Sequence, residues 1–204
     1  MRLSLLDRSR TRHGLPQAAA LPQSVDRAIW AEESGYHRFW VAEHHAVPGI
    51  ASGAPAVLLA AIGAATSSIR LGSGGVMLPN HRPLVVAEQF LMLEALHPGR
   101  VDLGLGRSLG FTEPVRRALG RLEAYPEEFA QEIAEVRAHL EGSAAVTAQP
   151  GGTGAPPLFV LATGTGLRTA AALGLPAVIG GPILDAGELP ELLARYRRDF
   201  RPHR

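Results

Sequence analysis

The chain has 204 residues, 46% of them apolar, which is enough to bury one core, although a complete (β/α)8 barrel needs about 250 residues. Its 20 basic and 19 acidic residues give a formal charge of +1. This balance excludes the strong basic footprint of a nucleic-acid-binding or membrane-surface protein, so small molecules are the expected ligands. The absence of cysteine excludes disulfides, thiolate metal sites and a cysteine nucleophile.

The compartment is predicted from what the sequence lacks. No apolar run reaches the length of a transmembrane helix, and the first segment becomes charged at Asp7. We therefore expect neither a membrane span nor a signal peptide, and we predict a cytoplasmic protein.

Short apolar runs alternate with helical patterns along the whole chain. The runs that predict strands are 2–7, 37–42, 69–74, 101–105, 158–164 and 177–181. The first helix is predicted to be capped by Ser24 or the residue before it and to stop at Gly35. The later helices are predicted at 55–66, 83–96, 113–121, 126–140, 167–173 and 186–200. The segment 8–22, rich in Arg, Gly, Pro and Ala, is predicted to be a loop, and a first loop of this length is typical of a functional site.

Strands that alternate with helices predict a parallel sheet wound in right-handed βαβ steps. The fold class is therefore α/β, a TIM-barrel-like parallel barrel that is incomplete, with about six βα units instead of eight. Parallel strands place their carboxyl ends at one rim, and polar or glycine residues follow the strands there.

The segment EHH, residues 43–45, follows the second predicted strand. A neutral imidazole exchanges a proton near neutral pH, and a neighbouring carboxylate orients it. Strand alternation prevents all three side chains from pointing inward. Taken without further context, the pair His44 and His45 is equally consistent with a structural hydrogen-bond cluster. Adjacent histidines on opposite faces are poor chelators, so no metal site is predicted.

Three other rim segments carry candidate binding residues. Gly74 and Gly75 end the third strand, where a ring can lie on bare backbone, or they form an ordinary βα turn. Arg107 closes the fourth strand, where it can pair with a phosphate or form a rim salt bridge. The loop at Thr163, Gly164 and Thr165 opens a helix and offers hydroxyls and N–H groups to a phosphate, with Arg168 as a further cation.

The third rim loop contains Asn80, His81 and Arg82 between two prolines. These residues can contact a substrate, but capping of the following helix is the commoner use and is the expectation here.

The segments GYHRFWVAEHH, IRLGSGGVMLPNHRPLVVAEQFLMLEALHPGR and VDLGLGR together closely resemble the bacterial-luciferase-like monooxygenases. Members of this family are TIM-type barrels that use reduced FMN and dioxygen. The resemblance extends over nearly all of residues 1–204 and is weaker to the relatives that use deazaflavin F420. It implies a single barrel domain over 1–204 that lacks the last two βα units of the family.

The resemblance also implies roles for the rim residues. His44 would be the catalytic acid/base, Glu43 a flavin-side contact with a catalytic part, and His45 structural. A cis peptide would join Gly74 to Gly75 beneath the flavin. Arg107 would lie near the FMN phosphate, and the loop 162–171 would be the phosphate loop, although its two glycines depart from the family pattern.

Two functions remain open at this point. The first is a two-component FMNH2-dependent monooxygenase that oxidises a small organic substrate and receives FMNH2 from a separate NAD(P)H:flavin reductase. The second is a non-catalytic flavin-binding or interaction subunit, similar to the shortened nonfluorescent flavoproteins. Six barrel strands leave two unpaired edges, so a homodimer is expected.

Overall fold

The computed structural model describes residues 1–185 and 187–203. Within them, one parallel sheet has the strand order β1-β2-β3-β5-β6-β7, and the short β4 pairs with β5. The strands are β1 Ser4–Asp7, β2 Arg38–Val41, β3 Arg70–Ser73, β4 Val76–Met77, β5 Val101–Gly106, β6 Leu158–Ala162 and β7 Ala177–Ile179.

Helices connect successive strands and cover one face of the sheet. They are α1 Ala20–Glu33, α2 Pro55–Ala65, α3 Pro83–Leu96, α4 Glu113–Ala118, α5 Pro126–Leu140, α6 Gly166–Leu173 and α7 Leu189–Asp199. Single 3-10 turns lie at Gln17–Ala19, Leu78–Asn80 and Gly181–Leu184.

Proline fixes the start of three helices. Pro55, Pro83 and Pro126 each occupy the first helical position, where the missing N–H is not needed, and α2, α3 and α5 begin at those residues. The predicted start of the first helix was wrong. The helix α1 begins at Ala20, so Ser24 lies inside it and donates to the Ala20 carbonyl at 3.0 Å. The predicted start of the last helix at Ala186 lies outside the described residues.

The sheet has a core on its helix-covered side. Alternate strand residues such as Phe39, Leu71 and Leu103 are fully buried there against Phe90 and Phe129 of the helices. The remaining side chains of each strand point to the opposite, concave side of the sheet. There Trp40 packs edge-on against Phe159, with ring centroids 5.2 Å apart.

An ionic cluster closes the amino end of the concave side. The Asp102 carboxylate is fully buried and accepts hydrogen bonds from Arg38 Nε at 2.8 Å and from Trp40 Nε1 at 3.2 Å. The Arg70 guanidinium forms an ion pair with the other oxygen at 2.5 Å. In a barrel of this kind the amino end supports stability and the carboxyl end carries function.

The curled parallel sheet with its helices is a half-barrel, which confirms the predicted incomplete TIM-barrel-like α/β fold. None of the helices formed by residues 1–185 and 187–203 combines the length and the apolar content that a membrane crossing requires.

Candidate active site at the carboxyl rim

A cavity of about 600 Å³ lies where the carboxyl ends of the strands meet. The predicted site residues line this cavity with the exception of Gly164, which lies between two lining residues. The predicted residues that the fold brings together are Glu43, His44, Gly74, Gly75, Arg107, Thr163 and Thr165. They come from four different strands, so only the fold makes them neighbours.

His44 presents its imidazole to the cavity. Its backbone N–H donates to the Ser52 carbonyl at 2.8 Å, and its ring stacks on Phe111 with an interplanar angle of 8° and centroids 6.1 Å apart. Burial, followed by the positive charge of Arg8, lowers the pKa of His44 below its usual 6.5. The ring is therefore neutral at neutral pH, and its Nδ1 has no hydrogen-bond partner in the described chain. This is the state in which an imidazole can accept a proton.

Glu43 joins two segments of the rim. Its Oε1 lies 2.6 Å from His45 Nε2 and 2.7 Å from His81 Nε2, and its Oε2 accepts the Met77 N–H at 2.9 Å. Burial by itself would raise the pKa of this carboxyl, but the hydrogen bonds from His81, His45 and Met77 lower it below 4.5. Glu43 is therefore ionised, and it ties the end of β2 to the loop that follows β3. Its carboxylate is already engaged on three sides, so the predicted flavin contact and catalytic part of Glu43 stay predictions.

The third rim loop does not cap the following helix. Arg82 occupies the N-cap position of α3 without a side-chain cap bond, and His81 turns back to Glu43 instead. The expected capping use of this loop was wrong, because a buried carboxylate of another strand competes for the histidine.

Among the described residues, a single group of three side chains could hold a metal ion: Glu43, His45 and His81. Their possible ligand atoms lie within 4.8 Å of one another. The sequence argument against a metal considered only the adjacent histidines and missed His81. However, both imidazole nitrogens lie at hydrogen-bond distance from the same carboxylate oxygen. This geometry is that of N–H groups donating to a carboxylate.

The floor of the cavity is bare backbone at Gly74 and Gly75. The peptide bond between them is cis, which confirms that expectation. A Cβ on Gly74 would collide with Leu6 and Trp40, and one on Gly75 would press on the Gly104 carbonyl oxygen. Glycine is therefore required at Gly75, where the neighbour is backbone, whereas a side chain at position 74 would displace the movable end of Leu6.

A cationic, hydroxyl-bearing edge also lines the cavity. The Arg107 guanidinium donates to Thr165 Oγ1 at 3.1 Å, and Thr163 lines the same edge. The helix α6 begins at Gly166 without an acidic residue in its first turn. Among the described residues, Arg107 forms no ion pair, which argues against the rim salt bridge considered from the sequence. The arrangement suits an anion.

The sequence analysis missed the walls of the cavity. They come from the segment after β5 and from α4 and α5, which carried no recognisable motif, and they are formed by Phe111, Arg116 and Phe129. A glycine-rich loop followed by a single aromatic residue was the only available signal for Phe111.

The profile of the luciferase-like monooxygenases matches residues 1–203. The chain belongs to this family, as its resemblance predicted. It is 43% identical to the uncharacterized protein YvbT of Bacillus subtilis over 98% of this chain and 61% of that protein. It is 40% identical to a luciferase-like monooxygenase of Escherichia coli, again over 98% of this chain and 61% of the relative.

A relative with a more specific name is N-acetyl-S-alkylcysteine monooxygenase of Bacillus subtilis, 39% identical over 100% of this chain and 63% of that protein. The chain thus spans a little over three fifths of the length of these relatives.

Solved structures share the fold. Apo-MsnO8 superposes with a TM-score of 0.92 and 38% identity, over 100% of this chain and 62% of that one. The oxygenating constituent of 3,6-diketocamphane monooxygenase, solved with FMN, gives a TM-score of 0.80 at 18% identity, over 100% and 65% of the two chains. An F420-dependent secondary alcohol dehydrogenase gives a TM-score of 0.75 at 18% identity, over 99% of this chain and 65% of that one. The last two likenesses concern the fold alone.

Proposed function

We propose that this chain binds reduced FMN at its carboxyl rim and forms the oxygenating part of a two-component monooxygenase that oxidises a small organic molecule. The observation that carries the proposal is one cavity that joins a neutral imidazole, a floor of bare backbone and a cationic hydroxyl edge. Membership of the luciferase-like monooxygenase family supports the reaction class.

The residues present fit a flavin mononucleotide. A volume of about 600 Å³ is in the range of small-molecule sites. A planar ring system needs a flat floor without side chains, and Gly74 and Gly75 provide one. A phosphate needs a cation and hydroxyl or N–H donors, and Arg107, Thr163 and Thr165 provide these.

Each group has a part that its geometry allows. His44 accepts or returns a proton at Nε2, since its Nδ1 is buried, while Phe111 holds the ring by stacking. Glu43 with His45 and His81 keeps the loop after β3 in register with the end of β2. The reduced flavin would supply the electrons that activate dioxygen, and the aromatic rings of Phe111 and Phe129 in the cavity wall would help to keep water away from the reacting atoms.

The proposed partners follow from the same chemistry. A separate NAD(P)H:flavin reductase would supply FMNH2, because the sequence has no dinucleotide-binding fingerprint. A homodimer is proposed because large apolar side chains are exposed on the outer helices, among them Val57 at 73%, Met92 at 55% and Leu96 at 62%. Sedimentation analysis should give twice the mass of one chain, and a monomer at every concentration would contradict the dimer.

The second candidate function is a flavin-binding subunit without catalysis. The exposure of Leu6 on β1, 49%, favours it, because Leu6 lies beside Gly74 and an open concave side leaves a reactive centre accessible to water.

Oxygen kinetics separate the two functions. The protein is mixed with FMN, reduced without oxygen and then exposed to oxygen, while flavin reoxidation and release of hydrogen peroxide are followed. The monooxygenase should slow the release of hydrogen peroxide relative to free FMNH2. Tight flavin binding with unchanged peroxide release would support the non-catalytic subunit, and absence of flavin binding would contradict both.

A further inference from the structure

The first loop after β1 lies beside the rim. Its backbone is pinned to the segment that follows His45, because Thr11 N–H donates to the Gly49 carbonyl at 3.0 Å and Ala51 N–H donates to the Ser9 carbonyl at 3.1 Å. A β-bridge between Arg10 and Ile50 lies between these bonds. The loop is therefore fixed to the strand end that carries the catalytic candidate.

Ser9 anchors the loop from below. It is fully buried, and its hydroxyl lies 2.8 Å from the hydroxyl of Ser24 in α1. The Arg27 side chain is engaged by Asp7 at 3.1 Å and 3.0 Å, so this pair is internally neutralised. Neither contact uses the arginines of the loop itself, Arg8, Arg10 and Arg12.

Arg8, Arg10 and Arg12 are exposed, and no acidic side chain of residues 1–185 and 187–203 lies within ion-pair distance of any of them. All three line an open groove of about 580 Å³ together with Leu6, Thr11 and the pair of Asp7 and Arg27, whose charges neutralise each other. Three uncompensated guanidinium groups in one groove attract an anion and can bind a carboxylate or sulfonate with paired hydrogen bonds.

The groove adjoins the candidate active site. Leu6 lines the groove and also lies against Gly74, which belongs to the cavity floor. Leu6 is 49% exposed, so an apolar surface runs from the arginines toward the floor. The charge of Arg8 also reaches His44, where it helps to lower the pKa of the imidazole.

We propose that the groove of Arg8, Arg10 and Arg12 selects the substrate, and that this substrate is an organic anion with an apolar body and a carboxylate or sulfonate head. The inference rests on the proposed function, since it places the head group in the groove and the reacting part over the glycine floor. Arg107 and the loop at Thr163 then remain free for the cofactor.

Matched probes test the proposal. Octanoate and octanamide share one hydrocarbon chain and differ in head-group charge. Their dissociation constants are measured by ligand-observed NMR, with and without FMN, for the wild type and for a variant that combines Arg8→Ala, Arg10→Ala and Arg12→Ala. The control is Arg197→Ala, which removes an exposed positive charge in α7 at the other end of the sheet.

The wild type and the Arg197→Ala control should bind octanoate about tenfold more tightly than octanamide. The combined variant should lose this preference and keep its affinity for octanamide. Equal binding of the two probes to the wild type would overturn the proposal, as would the same loss in the control, since that would indicate a diffuse charge effect.

Flavin binding is measured on the same proteins to separate the substrate proposal from the proposed flavin-binding function. The preference for FMN over riboflavin should be unchanged in the combined variant. If the variant loses it, the arginines bind the FMN phosphate and the substrate proposal falls. If no variant or wild type binds FMN but the preference for octanoate persists, the proposed function fails and the groove stands as an anion site.

Discussion

His44 and Phe111 show how one side chain obtains a chemical role from its surroundings. The imidazole is half-buried, stacked and without a partner at Nδ1, whereas the adjacent His45 is bonded to a buried carboxylate. Two neighbouring residues of the same type therefore have different surroundings, because the irregular backbone after the end of β2 at Val41 directs them to different partners.

Substitution of His44 tests its assigned role. His44→Ala should lower the turnover number by a factor on the order of a hundred or more, because a positioned acid/base contributes this much. The affinity for FMN should change little. Steady-state kinetics and a flavin titration measure the two effects, with His37→Ala, just before the opposite end of β2, as the control. Equal losses of turnover and affinity would indicate a structural residue.

Glu43 is predicted to matter for stability. Glu43→Gln should lower the free energy of unfolding by about 2 kcal/mol. The N–H of the new amide would face the N–H of His45 or His81, and the charge-assisted hydrogen bonds to the carboxylate would be lost. Urea denaturation measures the change. The control is Glu33→Gln at an exposed position near the end of α1, which should leave the free energy of unfolding nearly unchanged. An unchanged midpoint for Glu43→Gln would show that the cluster does not support the rim.

At the scale of elements, Glu32 at the end of α1 organises the start of β3. Its carboxylate accepts the N–H groups of Ser67, Ser68 and Ile69 at 3.0, 2.6 and 2.8 Å. Burial is the largest single effect and raises the pKa of this carboxyl, but the hydrogen bonds from Ile69, Ser68 and Ser67 together outweigh it and lower the pKa to about 2. One side chain therefore satisfies three consecutive N–H groups of a turn.

This contact gives a pH dependence with a defined sign. The folded pKa of about 2 lies below the ordinary 4.5, so the stabilisation is present above pH 4.5 and is lost as the pH falls toward 2. Glu32→Gln should reduce the loss of unfolding free energy on acidification, measured by urea denaturation from neutral pH to about pH 3. Glu33→Gln is again the control, and identical pH profiles for all three proteins would contradict the assignment.

The sequence predicted elements well where local chemistry marks their ends. Proline at the first position placed α2, α3 and α5, and Gly35 follows the end of α1 with φ +76°. The start of α1 was wrong because Ala19 and Ala20 carry no capping side chain, while Ser24 imitates one. The strand β4 was missed because two residues give no periodicity.

The candidate site was predictable only in part. Strand ends could be recognised from their polar and glycine residues, so the rim residues of four strands were found. The link from Glu43 to His81 spans 38 positions and depends on the loop conformation after β3, which no local pattern encodes. The stacking of Phe111 on His44 has the same origin, since a long loop brings it over the rim.

At the scale of the whole molecule, the half-barrel separates two kinds of ionic site. The buried Asp102 cluster at the amino end is saturated by Arg38, Arg70 and Trp40. The carboxyl end instead carries two groups of cations without anionic partners among the described residues, Arg107 with the threonine loop and the arginines of the first loop. The arginines at the amino end are paired with Asp102, whereas these arginines at the carboxyl end have no such partner among the described residues. This difference indicates that the carboxyl end binds anions.

The most direct measurement compares FMN with riboflavin, two ligands with the same ring system of which only FMN carries a phosphate. Fluorescence titration of the wild type should give FMN about tenfold the affinity of riboflavin, and Arg107→Ala should remove this difference while leaving riboflavin affinity unchanged. Equal affinities in the wild type, or a preference for FMN that survives in Arg107→Ala, would contradict the assignment of the rim as a flavin mononucleotide site.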